Sequence, residues 1–212
     1  MESRGRKYVL DRAFYLQNGI DLAKALIGKV LVHETPDAVL KGRIVETEAY
    51  MGAVDAAAHS YRGNPFGRVN VQYNEGGFAY IYLIYGMHSC MNVVANVSDV
   101  PEAVLIRALE PVLGIEEMKK SRKTDAVKAL CSGPGKLCQA MRITREQYGL
   151  DLCQKPLYIE ESEENRAILI GATKRINVDY AGEAALYPWR FVELESPYLS
   201  KKVKPQELIL PD

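Results

Sequence analysis

The chain has 212 residues, of which 48% are hydrophobic and 25% are charged, so it is long enough to bury a core as one domain without disulfides. Its 27 basic and 27 acidic residues cancel. This balance argues against a protein that holds nucleic acid non-specifically over a large surface, although a local basic face is still compatible with it.

The sequence carries no signal for a membrane or for an oxidising compartment. The charged residues at the start are not followed by an apolar segment, and no run of 18 apolar residues occurs. The four cysteines show neither a Cys-x-x-Cys pair nor a spacing typical of a disulfide framework. We therefore expect reduced thiols and no membrane partner.

The first fifty residues predict a loose arm, a short helix and two strands. Residues 1–9 form the expected arm. A helix is predicted over residues 20–27, with Asn18 as its cap and Gly28 as its end. A brief strand at residues 30–33 is followed by a longer one at residues 42–50.

The strand at residues 42–50 carries an unusual polar face. Side chains two residues apart share a face of a strand, so Glu46, Glu48 and Tyr50 lie together, with His59 following nine residues later. The pattern is typical of a polar functional site, but carboxylates in structural networks produce it as well.

Residues 78–97 are β-branched and aromatic around a central glycine, which predicts a β-hairpin with Tyr85 at its tip. Tyr80 and Tyr82 share one face of the first strand, and Asn92 lies on the returning strand. Tyrosines are common in sheets. An aromatic hairpin tip is less ordinary, because tips are normally polar.

The second half of the chain mixes short helices and strands. A strand at residues 104–109 places Arg107 on a face with leucines, where a charge is costly unless it has a partner or faces a site. The remaining predicted elements are helices at residues 111–122, 125–130 and 136–142, and strands at residues 157–160, 167–170 and 191–194. Interspersed elements and hairpin-linked strands predict a mixed α+β fold on an antiparallel sheet.

Several familiar reactions lack their residues in this sequence. The three histidines do not have the spacing of a metal hydrolase. The Gly-x-Ser-x-Gly pattern of a serine nucleophile is missing, as is a dinucleotide fingerprint. We therefore expect neither a metal nor a cofactor.

The remaining pattern is a carboxylate site rich in tyrosine. Flat aromatic side chains suit stacking on a nucleobase, a glutamate can activate water, and a tip tyrosine can fill a gap in a base stack. Together these features predict hydrolysis at a base flipped out of a duplex. A sugar-binding or nucleoside-binding enzyme remains an alternative at this stage.

Six blocks of sequence, in this order and spacing, resemble the alkyladenine (3-methyladenine) DNA glycosylase family over roughly residues 10–195. The blocks are Gly42-Arg-Ile-Val-Glu-Thr-Glu-Ala-Tyr50, Ala57-Ala-His-Ser60, Tyr80-x-Tyr-x-x-Tyr-Gly-Met87, Met91-Asn92, Leu105-Ile-Arg-Ala-Leu-Glu-Pro111 and Leu130-Cys-Ser-Gly-Pro-Gly-Lys-Leu-Cys-Gln139. The resemblance implies one glycosylase domain over residues 1–212, built around a curved antiparallel sheet with a protruding hairpin.

The resemblance also implies a role for each matching residue. Glu48 corresponds to the general base that activates water, with Glu46 as a supporting partner. The implied base-binding pocket consists of Tyr50, His59, Tyr82 and Asn92. Tyr85 corresponds to the residue that enters the duplex in place of the extruded nucleotide. Residues implied to support the site or the DNA are Tyr80, Met87 and Arg107.

From the resemblance we expect a monomeric, monofunctional enzyme that acts on double-stranded DNA containing alkylated or deaminated purines and leaves an abasic site. It would be cytoplasmic and associated with the nucleoid in a bacterium, or nuclear in a eukaryote. The loop at residues 62–76 departs from the family pattern, so the range of lesions is open. A non-catalytic sensor of damaged DNA and a nucleoside hydrolase remain alternatives.

Overall fold

The computed structural model describes residues 8–84, 86–164 and 166–209. Its strands are β1 (Val30–Glu34), β2 (Val39–Tyr50), β3 (Ala79–Ile84), β4 (His88–Ala95), β5 (Glu102–Leu113), β6 (Leu157–Glu160), β7 (Ile170–Thr173) and β8 (Arg190–Glu193). Its α-helices are α1 (Arg12–Tyr15), α2 (Gly19–Ala25), α3 (Ile115–Arg122) and α4 (Pro134–Ala140). Its 3-10 helices are Gly52–Val54, Gly67–Tyr73, Val127–Ala129, Arg145–Gln147, Asp179–Leu186 and Pro205–Glu207.

All eight strands belong to one antiparallel sheet, which confirms the predicted mixed α+β class. The main order is β3-β4-β5-β2-β1-β6, and β8 joins this path by pairing with β2 while β7 pairs with β8. One edge of β2 pairs with β5 along most of its length. Its other edge pairs first with β1 and then, at residues 46–48, with β8. Neighbours on both edges explain why nearly the whole of β2 is buried.

The hydrophobic core lies between this sheet and the short helices. The sequence predicted the N-terminus of α2, where the side chain of Asn18 accepts hydrogen bonds from the backbone N–H groups of Ile20 and Asp21 at 3.0 Å each. Leu22 of this helix belongs to the same core cluster as Ile44 of β2 and Leu109 of β5, and all three residues are fully buried. The helix thus covers the central strands.

The β-hairpin is confirmed as strands β3 and β4. Its register places Tyr80 opposite Asn92 and Tyr82 opposite Cys90. Tyr85, the residue that the sequence placed at the tip, lies outside the described residues. The hairpin forms the edge of the sheet, and its aromatic face is therefore free to line a surface cleft.

Three elements differ from the sequence-based expectation. The predicted start of a helix at Pro111 is wrong, because β5 continues to Leu113 and α3 begins only at Ile115. Pro111 pairs with Gly42 at a register irregularity, where a sheet tolerates proline. The predicted helix at residues 125–130 is a single 3-10 turn, Val127–Ala129. The strand predicted at residues 167–170 begins at residue 170, because its pairing with β8 decides its position.

The end of the expected N-terminal arm is attached to the sheet. Val9 forms a β-bridge with Glu160, and the N–H of Glu161 donates to the carbonyl of Tyr8 at 2.7 Å. Residues 8 and 9 therefore continue the edge beside β6, whereas residues 1–7 lie outside the described part of the chain.

The cap of α2 can be tested by a stability measurement. Replacing Asn18 with Ala removes the acceptor of two backbone N–H groups, so we expect the free energy of unfolding to fall by about 1 kcal/mol. Chemical denaturation measures this change. Asn18→Ser, which keeps an acceptor, is the matched control and should retain most of the stability; an equal loss in both variants would contradict the capping role.

Candidate active site

A buried charge network joins β2 to β5. Arg107 donates from Nε to Glu46 Oε1 at 3.1 Å and from Nη1 to Glu48 Oε2 at 3.2 Å. Both carboxylates are fully buried. Burial alone lowers the pKa of Arg107, but the charges of Glu48 and Glu46 outweigh it and raise the pKa above its usual value. The charge that the sequence placed on β5 is thus paired rather than isolated.

Glu46 is saturated by donors. Besides Arg107, it accepts from Arg190 Nε at 2.7 Å, from the backbone N–H of Ser200 at 2.6 Å and from the Ser200 hydroxyl at 2.7 Å. An ionised carboxylate has about four lone-pair sites. Four donors occupy that capacity, which makes Glu46 a structural junction between β2, β8 and the segment around residue 200.

Glu48 accepts one hydrogen bond fewer than Glu46 does. Its Oε2 accepts from the Tyr50 hydroxyl at 2.9 Å and from Arg107, and its Oε1 accepts from the backbone N–H of Ile176 at 2.7 Å. Three donors against about four lone-pair sites leave one position on this carboxylate for a further donor. The sequence placed both glutamates on one face, and only their hydrogen-bond partners distinguish them.

A cavity of about 630 Å³ opens beside this carboxylate. The six predicted residues that line it are Tyr50, His59, Tyr80, Tyr82, Asn92 and Arg107. Glu48 itself is not part of the lining. Its three donors, Tyr50, Arg107 and Ile176, all line the cavity, so the carboxylate lies directly behind this wall.

Aromatic rings form another wall of the cavity. The His59 and Tyr82 ring centroids lie 4.5 Å apart, with the rings at 82°. The Tyr80 and Tyr82 centroids are 5.5 Å apart, and the Tyr80 hydroxyl lies 2.8 Å from His59 Nδ1. Burial raises the pKa of Tyr82 and raises that of Tyr80 to about 12, so both phenols stay neutral.

His59 stands at the open side of this wall as a neutral imidazole. Although part of the ring faces the cavity opening, burial and the positive charge of Arg68 lower its pKa to about 4. Its neighbours are phenol rings, and no group of three or more His, Cys, Asp or Glu side chains in the described ranges is arranged to hold a metal ion. His59 is therefore part of the cavity wall, and its role in binding a base stays a prediction.

Tyr50 is held by two charged groups. Its hydroxyl donates to Glu48, and the Arg175 guanidinium lies 4.8 Å from the centre of its ring. Arg175 is itself fixed by a double hydrogen bond to Asp55, with both side chains fully buried, and lies 5.0 Å from the Trp189 ring. Burial, followed by the nearby Glu48 charge, raises the pKa of Tyr50, so the phenol keeps its proton.

Asn92 lines the cavity and is held in place by the hairpin. Its Nδ2 donates to the carbonyl of Tyr80 across the hairpin at 3.0 Å, and its side chain is 4% exposed. This hydrogen bond orients the amide. The hairpin therefore determines which polar atoms Asn92 presents to a ligand.

The structure does not bring Met87 into the cavity. Met87 lies at the hairpin tip with 72% of its surface exposed. In the sequence, Gly86 separates it from Tyr85, which lies outside the described residues. The described part of the tip is thus an apolar projection beside the cavity mouth.

The sequence did not reveal several residues that build the site. The N–H of Ile176 lies 128 residues from Glu48 along the chain, and Arg175 lies 120 residues from Asp55. Arg190 and Ser200 lie 144 and 154 residues from Glu46. Arginine and serine in irregular segments carry no periodic signal, and a backbone donor carries none at all.

The four cysteines are unpaired. Within the described ranges, the helices are all too short to cross a membrane.

Comparison with known proteins assigns the family. The model of the family described as methylpurine-DNA glycosylase matches residues 13–197. The chain belongs to this family. A methylpurine-DNA glycosylase is a hydrolase that acts on N-glycosidic bonds, so the predicted enzyme class is confirmed.

Bacterial relatives resemble the chain over nearly its whole length. A protein of Clostridium novyi (strain NT) is 46% identical over 201 residues, which are 91% of this chain and 98% of the relative. One of Bacillus cereus (strain G9842) is 48% identical over 200 residues, 90% of this chain and 98% of the relative. Both carry the provisional name 3-methyladenine DNA glycosylase. Both the family model and these relatives therefore match the chain by sequence over most of its length.

The protonation of His59 can be tested by NMR. A free imidazole has a pKa of about 6.5, and the lowered pKa predicts that the His59 ring protonates only near pH 4. Because the folded-state pKa is below the unfolded-state value, His59 contributes stability above pH 6.5 that is lost as the pH falls towards 4.

Arg68→Ala removes a repelling cation and should raise the pKa of His59. Ring chemical shifts followed from pH 8 to 4 measure both values, and His59→Gln assigns the resonance. An ordinary pKa for His59 in the wild-type protein would contradict the environment described for the cavity wall.

Proposed function

We propose that the protein removes alkylated purines of the 3-methyladenine class from double-stranded DNA by hydrolysis of the N-glycosidic bond. The observation that carries this proposal is a carboxylate with one unused acceptor site, set behind the wall of an aromatic cavity. A cavity of about 630 Å³ is in the size range of small-molecule sites. It suits one flipped base and its sugar better than an intact base pair.

The reaction requires a base for water. Alkylation of a ring nitrogen leaves the purine positively charged, which weakens its bond to the sugar. When that bond breaks, its electron pair returns to the purine and neutralises it. A water oxygen bonds to the sugar carbon, and its proton passes to Glu48. The products are a free purine and an intact strand with an abasic site.

Glu48 rather than Glu46 suits the role of the base. Glu46 already accepts from four donors, whereas Glu48 accepts from three. In this proposal, the nucleophilic water uses the remaining acceptor site of Glu48. Arg107, Tyr50 and the N–H of Ile176 hold the carboxylate in position for it.

The walls suit a cationic purine. Tyr50 and Tyr82 present neutral aromatic rings, and His59 is neutral at physiological pH. A desolvated cation stacked on such a ring gains about 2 kcal/mol. A charged imidazole would repel the same base. Asn92 is proposed to disfavour the exocyclic amine of guanine, with Tyr80 supporting the wall and Arg107 the site.

Access to the base requires extrusion from the duplex. We assign the wedge to Tyr85, on the basis of its place between two described strands and the family resemblance. The exposed Met87 beside it adds apolar surface at the same tip. We further propose that the chain acts as one domain and as a monomer. The described residues that line the cavity include no lysine, so strand cleavage through a Schiff base is not expected.

A binder of damaged DNA without turnover is the second candidate. It is favoured by the position of Glu48, which lies behind the lining residues rather than on the cavity surface. Both candidates use the same pocket, and they differ only in whether the glycosidic bond breaks. A nucleoside hydrolase would not need the hairpin tip, and free nucleosides would then compete with DNA.

The role of Glu48 predicts a clean separation of binding from catalysis. Glu48→Gln keeps the shape of the site but removes the base, so release of 3-methyladenine from methylated duplex should fall by about a thousandfold or more. Binding to a duplex with an abasic-site analogue should persist. Released base is measured by chromatography, and strand breaks are measured on a gel before and after alkali.

Glu161→Gln is the matched control, since it changes an exposed carboxylate paired with Lys29 and should excise normally. Strand breaks only after alkali indicate a monofunctional glycosylase. Normal excision by Glu48→Gln would refute the assignment of the base. Binding without release in the wild-type protein would instead establish the second candidate.

The stacking role of Tyr82 predicts a charge-dependent effect. Tyr82→Leu removes the ring, so excision of cationic 3-methyladenine should fall by about tenfold under single-turnover conditions. Tyr82→Phe keeps the ring and should stay near the wild-type rate. For neutral hypoxanthine in a defined duplex, Tyr82→Leu should reduce the excision rate less than it does for the cationic base. Equal losses for both bases would show that Tyr82 contributes shape rather than cation–π stabilisation.

A further inference from the structure

Most arginines in the described ranges of this electrically neutral chain pair with a carboxylate. Those that pair with carboxylates are Arg12, Arg43, Arg107, Arg142, Arg166, Arg175 and Arg190. Arg122 instead donates to neutral oxygens of Leu130 and Gln139, and the exposed Arg62 lies over the Tyr61 ring. Arg68 and Arg145 are exposed, and neither forms a salt bridge or a side-chain hydrogen bond with any residue of the described ranges. Their charges are therefore available to an external anion.

These two arginines line the same cavity. It has a volume of about 510 Å³ and lies on the other side of Tyr82 from the candidate base pocket. Arg68, Tyr82 and Leu83 line both cavities and so form a shared wall. Among the described residues that line the second cavity there is no carboxylate. Two guanidinium groups in a lining without a carboxylate make it a candidate site for an anion, although Glu146 follows Arg145 outside this lining.

The segments that carry the two arginines are tied together. Arg68 belongs to the 3-10 helix Gly67–Tyr73, and Arg145 to the turn Arg145–Gln147. Tyr148 follows that turn, and its hydroxyl donates to the carbonyl of Arg68 at 3.2 Å and accepts from the N–H of Val71 at 3.3 Å. This link fixes the backbone of both segments beside one cavity before a ligand arrives, which reduces the cost of ordering the chain on binding.

We propose that the second cavity binds a backbone phosphate of the DNA strand next to the extruded nucleotide, held between Arg68 and Arg145. This inference rests on the proposed function, since it assumes a flipped base on the other side of the shared wall. Consecutive phosphates belong to one continuous chain, so a nucleotide in the first cavity brings its neighbours to the edge of that wall. Phosphate is the anion that arginine binds with two parallel hydrogen bonds.

The charge of Arg68 reaches both sites. It already lowers the pKa of His59 across the shared wall. A bound phosphate would neutralise it, and the same residue thereby links the contact with the backbone to the electrostatics of the base pocket. A neutral protein thus places uncommitted positive charge where the strand must bend away from the duplex.

A scan of neutral phosphate analogues tests the proposal. The full-length protein is titrated with a duplex that carries a tetrahydrofuran abasic analogue, in which each flanking phosphate in turn is replaced by a methylphosphonate. We expect one replacement to weaken binding by the wild-type protein by about tenfold. Arg145→Ala and the double variant Arg68→Ala/Arg145→Ala should bind the all-phosphate duplex more weakly and should be insensitive to that same replacement.

The salt dependence gives a second readout. If both arginines hold one phosphate, the slope of log K against log salt should fall in magnitude by about 0.9 in the double variant rather than by twice that amount. Lys155→Ala is the matched control, because it removes an exposed cation beside β1 and β6, at the other edge of the sheet from the hairpin. Its slope and its methylphosphonate profile should match those of the wild-type protein. Thermal melting verifies that all variants are folded.

The outcomes separate the two proposals. Methylphosphonate effects that are the same in the wild-type and double-variant proteins at every position would overturn the phosphate site, even where base excision is normal. Binding of inorganic phosphate at this cavity without such coupling to DNA would overturn it as well. If the wild-type protein excises no base, the proposed function is refuted. One phosphate position whose replacement weakens binding only when both arginines are present would still support the contact with DNA.

Discussion

The pairing of Arg107 with Glu46 and Glu48 is the interaction on which the rest of the site depends. Isolated charges in the interior cost several kcal/mol each, so two buried carboxylates on one strand require cations and further donors. Arg107 from β5 and Arg190 from β8 meet this need, one from each side of β2. The central strand is thereby locked to both neighbours by charge as well as by backbone pairing.

This network also makes two chemically identical side chains different. Glu46 points into a complete set of donors and serves as a junction. Glu48, two residues on, lies behind the wall of the cavity and keeps one acceptor site. The fully buried Asp55–Arg175 pair supports Tyr50 in turn, so that the ring, the hydroxyl and the carboxylate form one unit. Position in the network, rather than residue type, selects the candidate base.

The distribution of charge matters more than its total. Most of the arginines are committed to carboxylates, which suits the net charge of zero. Arg68 and Arg145 are not, and they lie beside the hairpin at the wall that separates the two cavities. A protein that recognises a damaged base needs only a local positive surface there, because phosphate contacts position the strand while the pocket discriminates.

Local patterns in the sequence predicted the Asn18 cap, the hairpin, and the shared face of Glu46 and Glu48, because a cap, a turn and a two-residue period each depend on neighbouring residues. The motifs also predicted the family and six of the residues that line the cavity. The strand through Pro111 and the start of β7 were not predictable, because pairing with distant strands decided them. The resemblance named Glu48 as the base, but only the tertiary structure gave a physical reason that separates it from Glu46, and only the tertiary structure placed Arg68 and Arg145 on one cavity. Hydrogen-bond partners and cavity walls come from segments far apart in the chain, and no local pattern encodes their meeting.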